Sequence, residues 1–390
     1  MKKIPFYLLF FVCCFCLRPP AHSDDWQIVN VDGKDYLSLD NVAKFYQLSS
    51  STGADPQHVT LADSRSRIET LTNSRELLIN GVKEWLSFPT VLRDGQTLVS
   101  RFDLSKTIEP CLRPAMIGNL EPFQTVVLDA GHGGQDGGGS SATGLEKNYT
   151  LDVIRDLKAS LEAKGLQVIL TRSDDAYLGL EQRAELANTI SNAVFVSVHF
   201  NSSGDVGAGG LEVYAMTPRG AASTGDHNVA LDQTLQMPGN DFDNASLALA
   251  NCVHHSLLGK LPIGDRGVRR ARFAVLRLTH APSILVEGGY MTNGEDSRQI
   301  NDPAWRQKLA EAIATGVRSF QDVVQYKQAP KLLADYRAEL PVVPAVVKQT
   351  PPVYAFHPPR PKSALIAVSN PAPTRRQAPL RPAGRTRRAR

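Results

Sequence analysis

The chain has 390 residues, 42% of them hydrophobic and 21% charged. These are the proportions of an ordinary folded protein, so they exclude global disorder and leave room for two or three domains. The formal net charge of +4 averages unlike parts: residues 327–390 hold 13 Lys and Arg against 2 Asp and Glu, the first 23 residues add three positive charges, and the stretch between is left at −10.

At the amino end, Lys2 and Lys3 precede a 14-residue apolar run from Ile4 to Leu17, and Ala21-His22-Ser23 offers small residues where a signal peptidase reads. A positive start, a short apolar core and a small-residue site predict a secretory signal peptide over residues 1–23. The run is too short to span a bilayer comfortably, so the expected destination is the periplasm, the cell wall or the exterior. Cleavage would remove Cys13, Cys14 and Cys16. Cys111 and Cys252 remain, as one bridge or as two small buried side chains.

Residues 24–110 alternate short apolar stretches with tight turn signals. IVNV and YLSL flank Asp32-Gly33, ELLI and VKEWL flank Asn80-Gly81, and TVL and TLVS flank Asp94-Gly95. Asp-Gly and Asn-Gly supply the positive φ angles of two-residue hairpin turns, which predicts a small strand-rich α+β domain. One helix is expected from Asn41 to Gln47, capped by Asp40. The layout resembles the small domain named after the copper amine oxidase amino terminus. It has no cluster of His or Cys ligands, and a structural or wall-binding role is expected.

From residue 124 to 325 strand and helix periods alternate. Strands are expected at QTVVLD, LQVILT, AVFVSV, LEVYAM, FAVLRL and SILVE. Helices are expected at Asn148–Lys164, Glu181–Ile190, Leu247–Leu258 and Trp305–Phe320, the first stopped by Gly165. Val-, Ile- and Leu-rich strands bracketed by helices predict an α/β domain with its sheet covered on both faces. Residues 216–244, rich in Thr, Gly, Asn, Asp and Pro, read as a loop that holds no long helix. His227 falls in it as an incidental side chain, and His254 and His255 read as surface or packing residues. Residues 329–390 hold 12 of the 25 prolines and end RPAGRTRRAR. That composition predicts an extended or disordered basic tail. The tail is either a contact for an anionic polymer, a membrane surface or nucleic acid, or an exposed linker without a partner.

Three places in the middle domain carry chemistry. His132 follows a buried strand inside LDAGHGG, where glycines leave open space around the imidazole. Glu146 stands at the mouth of the long helix, and His199 lies just beyond the strand AVFVSV. Each alone has an ordinary structural explanation. Together, two His and one Glu at strand ends and a helix start form an N2O set suited to a single zinc ion, with a fourth position left for water. Glu287, ending SILVE, is out of place in a pure core and fits a general base beside a metal. Asp129 and Asn201 are candidate hydrogen-bond partners of the ligands.

The stretches TVVLDAGHGGQDGG, GLEKNYTLDVIRDLKASLEAKGLQVILTRSDD, LEQRAELAN, VFVSVHFNSS and RGVRRARFAVLRLTHAPSILVEGGYMTN resemble, in order, the zinc-dependent N-acetylmuramoyl-L-alanine amidases of the amidase_3 type. The resemblance runs from about Gln124 to Phe320. It implies an α/β fold around a mixed sheet, one Zn2+ on His132, Glu146 and His199, and Glu287 as the catalytic carboxylate. It implies peptidoglycan as substrate, cut between N-acetylmuramic acid and the L-alanine of the stem peptide. The ligand set alone also permits another zinc peptidoglycan hydrolase or deacetylase, and the third alternative is a catalytically inactive wall-binding protein.

Overall fold

The computed structural model describes residues 26–338 apart from 54, 56 and 227. The segment read as a signal peptide with its three cysteines, His227 and the tail from residue 339 onward lie outside the described residues.

The three turn dipeptides adopt the backbone their residue types favour. Asp32-Gly33, Asn80-Gly81 and Asp94-Gly95 all have positive φ at both positions, closing the hairpins β1–β2 (Ile28–Val31, Lys34–Ser38), β6–β7 (Glu76–Ile79, Val82–Trp85) and β8–β9 (Val91–Arg93, Gln96–Ser100). Between them lie α1 (Leu39–Tyr46), β3 (Ser49–Thr52), β4 (His58–Ala62) and β5 (Arg67–Leu71). The cap of α1 is Ser38, not Asp40: the Ser38 hydroxyl accepts from the Asn41 backbone N–H, and Asp40 sits in the first turn. The helix starts earlier than its apolar spacing indicates because Leu39 is itself buried.

After a helical stretch over residues 101–112 come β10 (Thr125–Ala130), the small hairpin β11–β12 (Ser140–Ser141, Gly144–Leu145), α2 (Glu146–Glu162), β13 (Gln167–Leu170), α3 (Leu180–Asn188), β14 (Ala193–Asn201) and β15 (Leu211–Met216). They are followed by α4 (Asp243–Lys260), β16 (Asp265–Ala271), α5 (Ala274–Leu278), β17 (Ser283–Tyr290), α6 (Gly294–Asn301), α7 (Pro303–Tyr326) and α8 (Leu333–Ala338). An 11-stranded sheet has the order β13-β10-β14-β17-β15-β16-β7-β6-β5-β4-β3, and a four-stranded sheet has the order β1-β2-β9-β8. The large sheet is mixed: β13, β10, β14 and β17 run parallel, and β15 is antiparallel to β17. β16 is parallel to β15, and β7 joins β16 through Glu84 and Val268, so the amino-terminal meander prolongs the same sheet.

Strand alternation sorts the core onto two faces. Val126, Leu128, Val194, Val196, Ile284 and Val286 pack in the larger cluster with Val153, Ile154 and Leu157 of α2 and Leu309 and Ile313 of α7. Their neighbours Val127, Phe195 and Leu285 point the other way, into a smaller cluster with Ala187 of α3 and Val275 and Leu276 of α5. The sheet is therefore covered by helices on both faces. By the same alternation, His199 lies on the Phe195 side and Glu287 on the Leu285 side, the face of the smaller cluster.

FAVLRL is not a strand: Ala274–Leu278 is a helix, and the strand is the preceding DRGVRRA. A short apolar run does not distinguish the two states, and the charges of DRGVRRA hide a strand whose arginines each find internal acceptors. Arg270, for example, is buried and donates to the carbonyls of Met216, Asp243 and Lys106. The expected extended tail is also shortened. Residues 333–338 form α8, Tyr336 is fully buried, and its Cβ lies 2.5 Å from where a Cβ on Gly259 would sit. Two leucines and a tyrosine in LLADY bury enough apolar surface to hold this segment despite the basic composition beyond it.

His254 and His255 are packing residues, both buried; His254 Nε2 bonds Asp265 Oδ1 at 2.7 Å and His255 Nδ1 bonds the Asn251 carbonyl at 2.9 Å. Cys111 and Cys252 are free buried thiols. Between β15 and α4 the described residues hold two short 3-10 turns, Leu231–Thr234 and Pro238–Phe242. No described helix is long and apolar enough to cross a membrane.

Glu84, at the joint between β7 and β16, is buried, and Asn251 Nδ2 donates to its Oε1 at 2.7 Å. Burial pushes its carboxyl up to about 8, against the opposing pull of Asn251 and Arg270. The folded chain thus keeps a proton that the unfolded chain releases near the ordinary value of 4.5, so stability falls as pH rises from about 4.5 to about 8 and then levels off. Glu84→Gln should flatten that decline, raising the melting temperature at pH 9 by about 5 °C or more and changing it little at pH 4.5; thermal melts across pH check this.

Candidate metal centre

The C-terminal ends of β10, β14 and β17 lie along one edge of the sheet, and the first turn of α2 faces them. His132 sits two residues past β10 with φ 62°, a left-handed backbone that costs a non-glycine residue energy and is held only where the surroundings fix it. Two buried arginines supply that hold. Arg183 donates to the carbonyls of Ala130 and His132, at 2.7 and 2.8 Å. Arg172 donates to the carbonyls of Ala130 and Gly131, at 2.9 and 2.7 Å.

Glu146 opens α2, where the helix dipole favours an anion. Its Oε1 accepts from the Phe200 backbone N–H at 3.0 Å and its Oε2 from the Gly139 N–H at 2.7 Å. His132 Nε2 and His199 Nδ1 lie 3.1 and 3.0 Å from the same Oε1, and the two rings meet edge to face at 4.9 Å. One ligand atom from each of His132, Glu146 and His199 lies within 4.8 Å of the others. Glycines make this convergence sterically possible. A Cβ on Gly131 would lie 2.3 Å from His199 Cε1, and one on Gly138, at φ 66°, would lie 2.6 Å from both Glu146 Oε2 and His132 Cδ2.

The electrostatics call for positive charge at this point. Burial opposes ionisation of Glu146, but His132 and His199 outweigh it and hold the carboxyl far below its usual range. Burial likewise opposes the imidazolium of His132, and Glu146 and Asp136 together raise its pKa. Two imidazole nitrogens and a carboxylate oxygen, partly exposed to solvent on the histidine side, are a donor set suited to a divalent cation such as zinc.

Glu287 belongs to the interior of β17 rather than its end, next to His199 in the parallel register. His199 likewise lies inside β14, which runs on to Asn201. The Oε2 of Glu287 is shut off from solvent and has no hydrogen-bond partner among the described residues. Its pKa is pushed well above the carboxylate range by burial and by the charges of Glu146 and Glu212. An orphaned buried carboxyl oxygen is costly in a purely structural setting and fits a site completed by further groups.

The two expected supporting residues hold other partners. Asp129 accepts from Thr171, Ser197 and Arg183 at 2.6–2.8 Å, and Asn201 donates to Glu212 at 2.7 Å. The direct partner of a clustered histidine is Asp136, whose Oδ2 is 2.8 Å from His132 Nδ1 and whose Oδ1 accepts from the Gly138 N–H. Its signal was present in the sequence, a carboxylate four residues after His132 in a glycine loop. Arg172 and Arg183 carried a weaker one, as cations immediately after a strand and inside an otherwise ordinary helix.

The family model described as N-acetylmuramoyl-L-alanine amidase matches residues 126–319. The uncharacterized protein YqiI of Bacillus subtilis is 32% identical over 222 residues, covering 56% of this chain and 94% of that protein. The probable cell wall amidase LytH of Staphylococcus aureus is 34% identical over 200 residues, 50% of this chain and 58% of its own length, so the chain spans a little over half of that relative. Among solved structures, the N-acetylmuramoyl-L-alanine amidase AmiC2 of Nostoc punctiforme is 36% identical, covering 50% of this chain and 94% of that one, with a TM-score of 0.42.

Asp136 orients His132 so that Nε2 faces the cluster. Asp136→Asn should weaken the binding of a divalent cation by about 10–100-fold; titration of the metal-stripped protein with Zn2+ measures it.

Proposed function

The chain belongs to the N-acetylmuramoyl-L-alanine amidase family, and from that premise we propose that it is an exported, zinc-dependent hydrolase that cuts the amide between N-acetylmuramic acid and L-alanine in peptidoglycan. His132, Glu146 and His199 would hold the ion. The observation that carries this is the convergence of those three side chains within 4.8 Å beside the orphaned Glu287 Oε2. The signal-like amino end supports export, and the basic tail would add contact with an anionic polymer or a membrane surface.

Bound there, zinc supplies Lewis acidity toward the scissile carbonyl and the attacking water. The chain's own residues account for the remaining steps. Asp136 holds the His132 imidazole in place through Nδ1. Glu287 takes the proton of the attacking water and returns it to the L-alanine nitrogen, which must leave as an amine because an amide anion is a poor leaving group. Burial of Glu287 suits the second half of that task, since a carboxyl that keeps its proton readily is a competent acid.

Digestion of purified peptidoglycan, with and without a chelator, should release free stem peptides only in the metal-loaded sample, as read by mass spectrometry. Release of D-alanine or acetate instead would overturn the proposed reaction. Glu287→Gln should reduce turnover by about 10²–10⁴-fold with zinc content unchanged, whereas His199→Ala should lose both; normal hydrolysis by the Glu287 variant would remove it from the mechanism.

A further inference from the structure

Glu212, on β15, stands opposite Glu287 in the antiparallel register and is only 1% exposed. Its Oε1 accepts from Asn201 Nδ2 at 2.7 Å, Tyr290 Oη at 3.0 Å and Tyr214 Oη at 3.1 Å. Its Oε2 accepts from Arg269 Nη1 at 2.7 Å and Arg266 Nε at 3.3 Å. Burial opposes its ionisation, but the two guanidinium groups and Tyr290 hold its carboxyl below the usual range. Two cations therefore share one anion, which leaves a surplus positive charge in a body that is otherwise acidic.

The two arginines divide the work. Arg269 is enclosed, its guanidinium 5.2 Å from the ring centre of Trp85 and 6.0 Å from that of Tyr214, and it makes the shorter ion pair. Arg266 spends only its Nε on Glu212. Its guanidinium lies 4.9 Å from the ring centre of Tyr290, its side chain is 32% exposed, and neither Nη atom enters a hydrogen bond among the described residues. The backbone around it is tied down: Trp85 Nε1 donates to the Arg266 carbonyl at 3.1 Å, and Asp265 Oδ1 accepts from the Gly267 N–H at 2.7 Å. A preorganised planar fork with free donors matches a carboxylate, and holding it in advance lowers the entropy cost of binding.

We infer that Arg266, two strands away from Glu287 and joined to it through Glu212, is a carboxylate-binding subsite, taking a carboxylate of the peptide stem on its two free Nη groups. The subsite presupposes the amidase reaction proposed above and adds to it a selectivity for stems whose carboxylates are free. It also gives the amino-terminal region a part in the site, because Trp85 of β7 both pins the Arg266 backbone and packs on Arg269.

The test compares two synthetic muramoyl peptides that are identical except that the stem carboxylates are free in one and primary amides in the other. The full-length zinc-loaded protein should prefer the free acid by about 10–100-fold in kcat/KM, the range of a charge-assisted hydrogen-bonded pair. Arg266→Gln should collapse that ratio toward one, mainly through KM, and Arg266→Lys should restore part of it because it keeps the charge without the fork. Melting temperatures confirm that both variants fold. Equal losses on both compounds in Arg266→Gln, or no preference in the unaltered protein, would overturn the subsite. The same pair titrated into the full-length Glu287→Gln protein separates the two proposals: selective binding there with no cleavage of either compound by the unaltered protein would remove the amidase reaction and keep the subsite.

Discussion

A carboxylate at the first turn of a helix, buried against the end of a parallel sheet, is the constraint on which the site depends. Glu146 is anchored twice by backbone, through Phe200 on β14 and Gly139 in the glycine loop. An ionised group in such a place is tolerated only if it is paired or hydrogen-bonded, and here the His132 and His199 rings lie against it. The strained backbone of His132 and the crowding glycines follow from the need to place two rings and a carboxylate on one point. The arginines at residues 172 and 183 stabilise a loop that its own sequence would not hold.

The same edge of the sheet gathers a second charge cluster. Glu287 stands between His199 on one neighbouring strand and Glu212 on the other, so three acidic residues from three elements approach one region. Arg266 and Arg269 offset Glu212, and the proposed zinc ion would offset Glu146. Glu287 is left without a counter-charge, which is the condition under which a carboxyl retains a proton. Across the sheet, the charged character of β16 continues into β7, whose Trp85 and Glu84 tie the amino-terminal meander to the amidase strands through both a hydrogen bond and a backbone pairing. The meander is thus physically continuous with the family's fold.

Much of this was legible in the chain itself because local chemistry decided it. Hairpin turns at Asp-Gly and Asn-Gly need no tertiary help, and strands as apolar as TVVLDA or AVFVSV have few other uses. Errors arose where tertiary partners override local preference. FAVLRL has the composition of a strand but packs as a helix under the sheet, whereas DRGVRRA looks solvated and is a strand in which Glu212 pairs with Arg266 and Arg269 and carbonyls accept from Arg270. LLADY was masked by the prolines and arginines that follow it, yet it packs Tyr336 against Gly259.

Motif order and residue type are local properties, so the chain read linearly already points to the family, the alternation of strands and helices, and His132, Glu146, His199 and Glu287 as the chemically conspicuous set. Which partners these residues keep follows from the fold: Asp136 rather than Asp129 on the imidazole, Glu212 rather than a metal ligand on Asn201, and Trp85 of the amino-terminal region against Arg266 and Arg269. Such pairings join residues as distant in sequence as Trp85 and Arg269, and their geometry follows from the order and register of the strands, which a linear pattern of residue types does not encode.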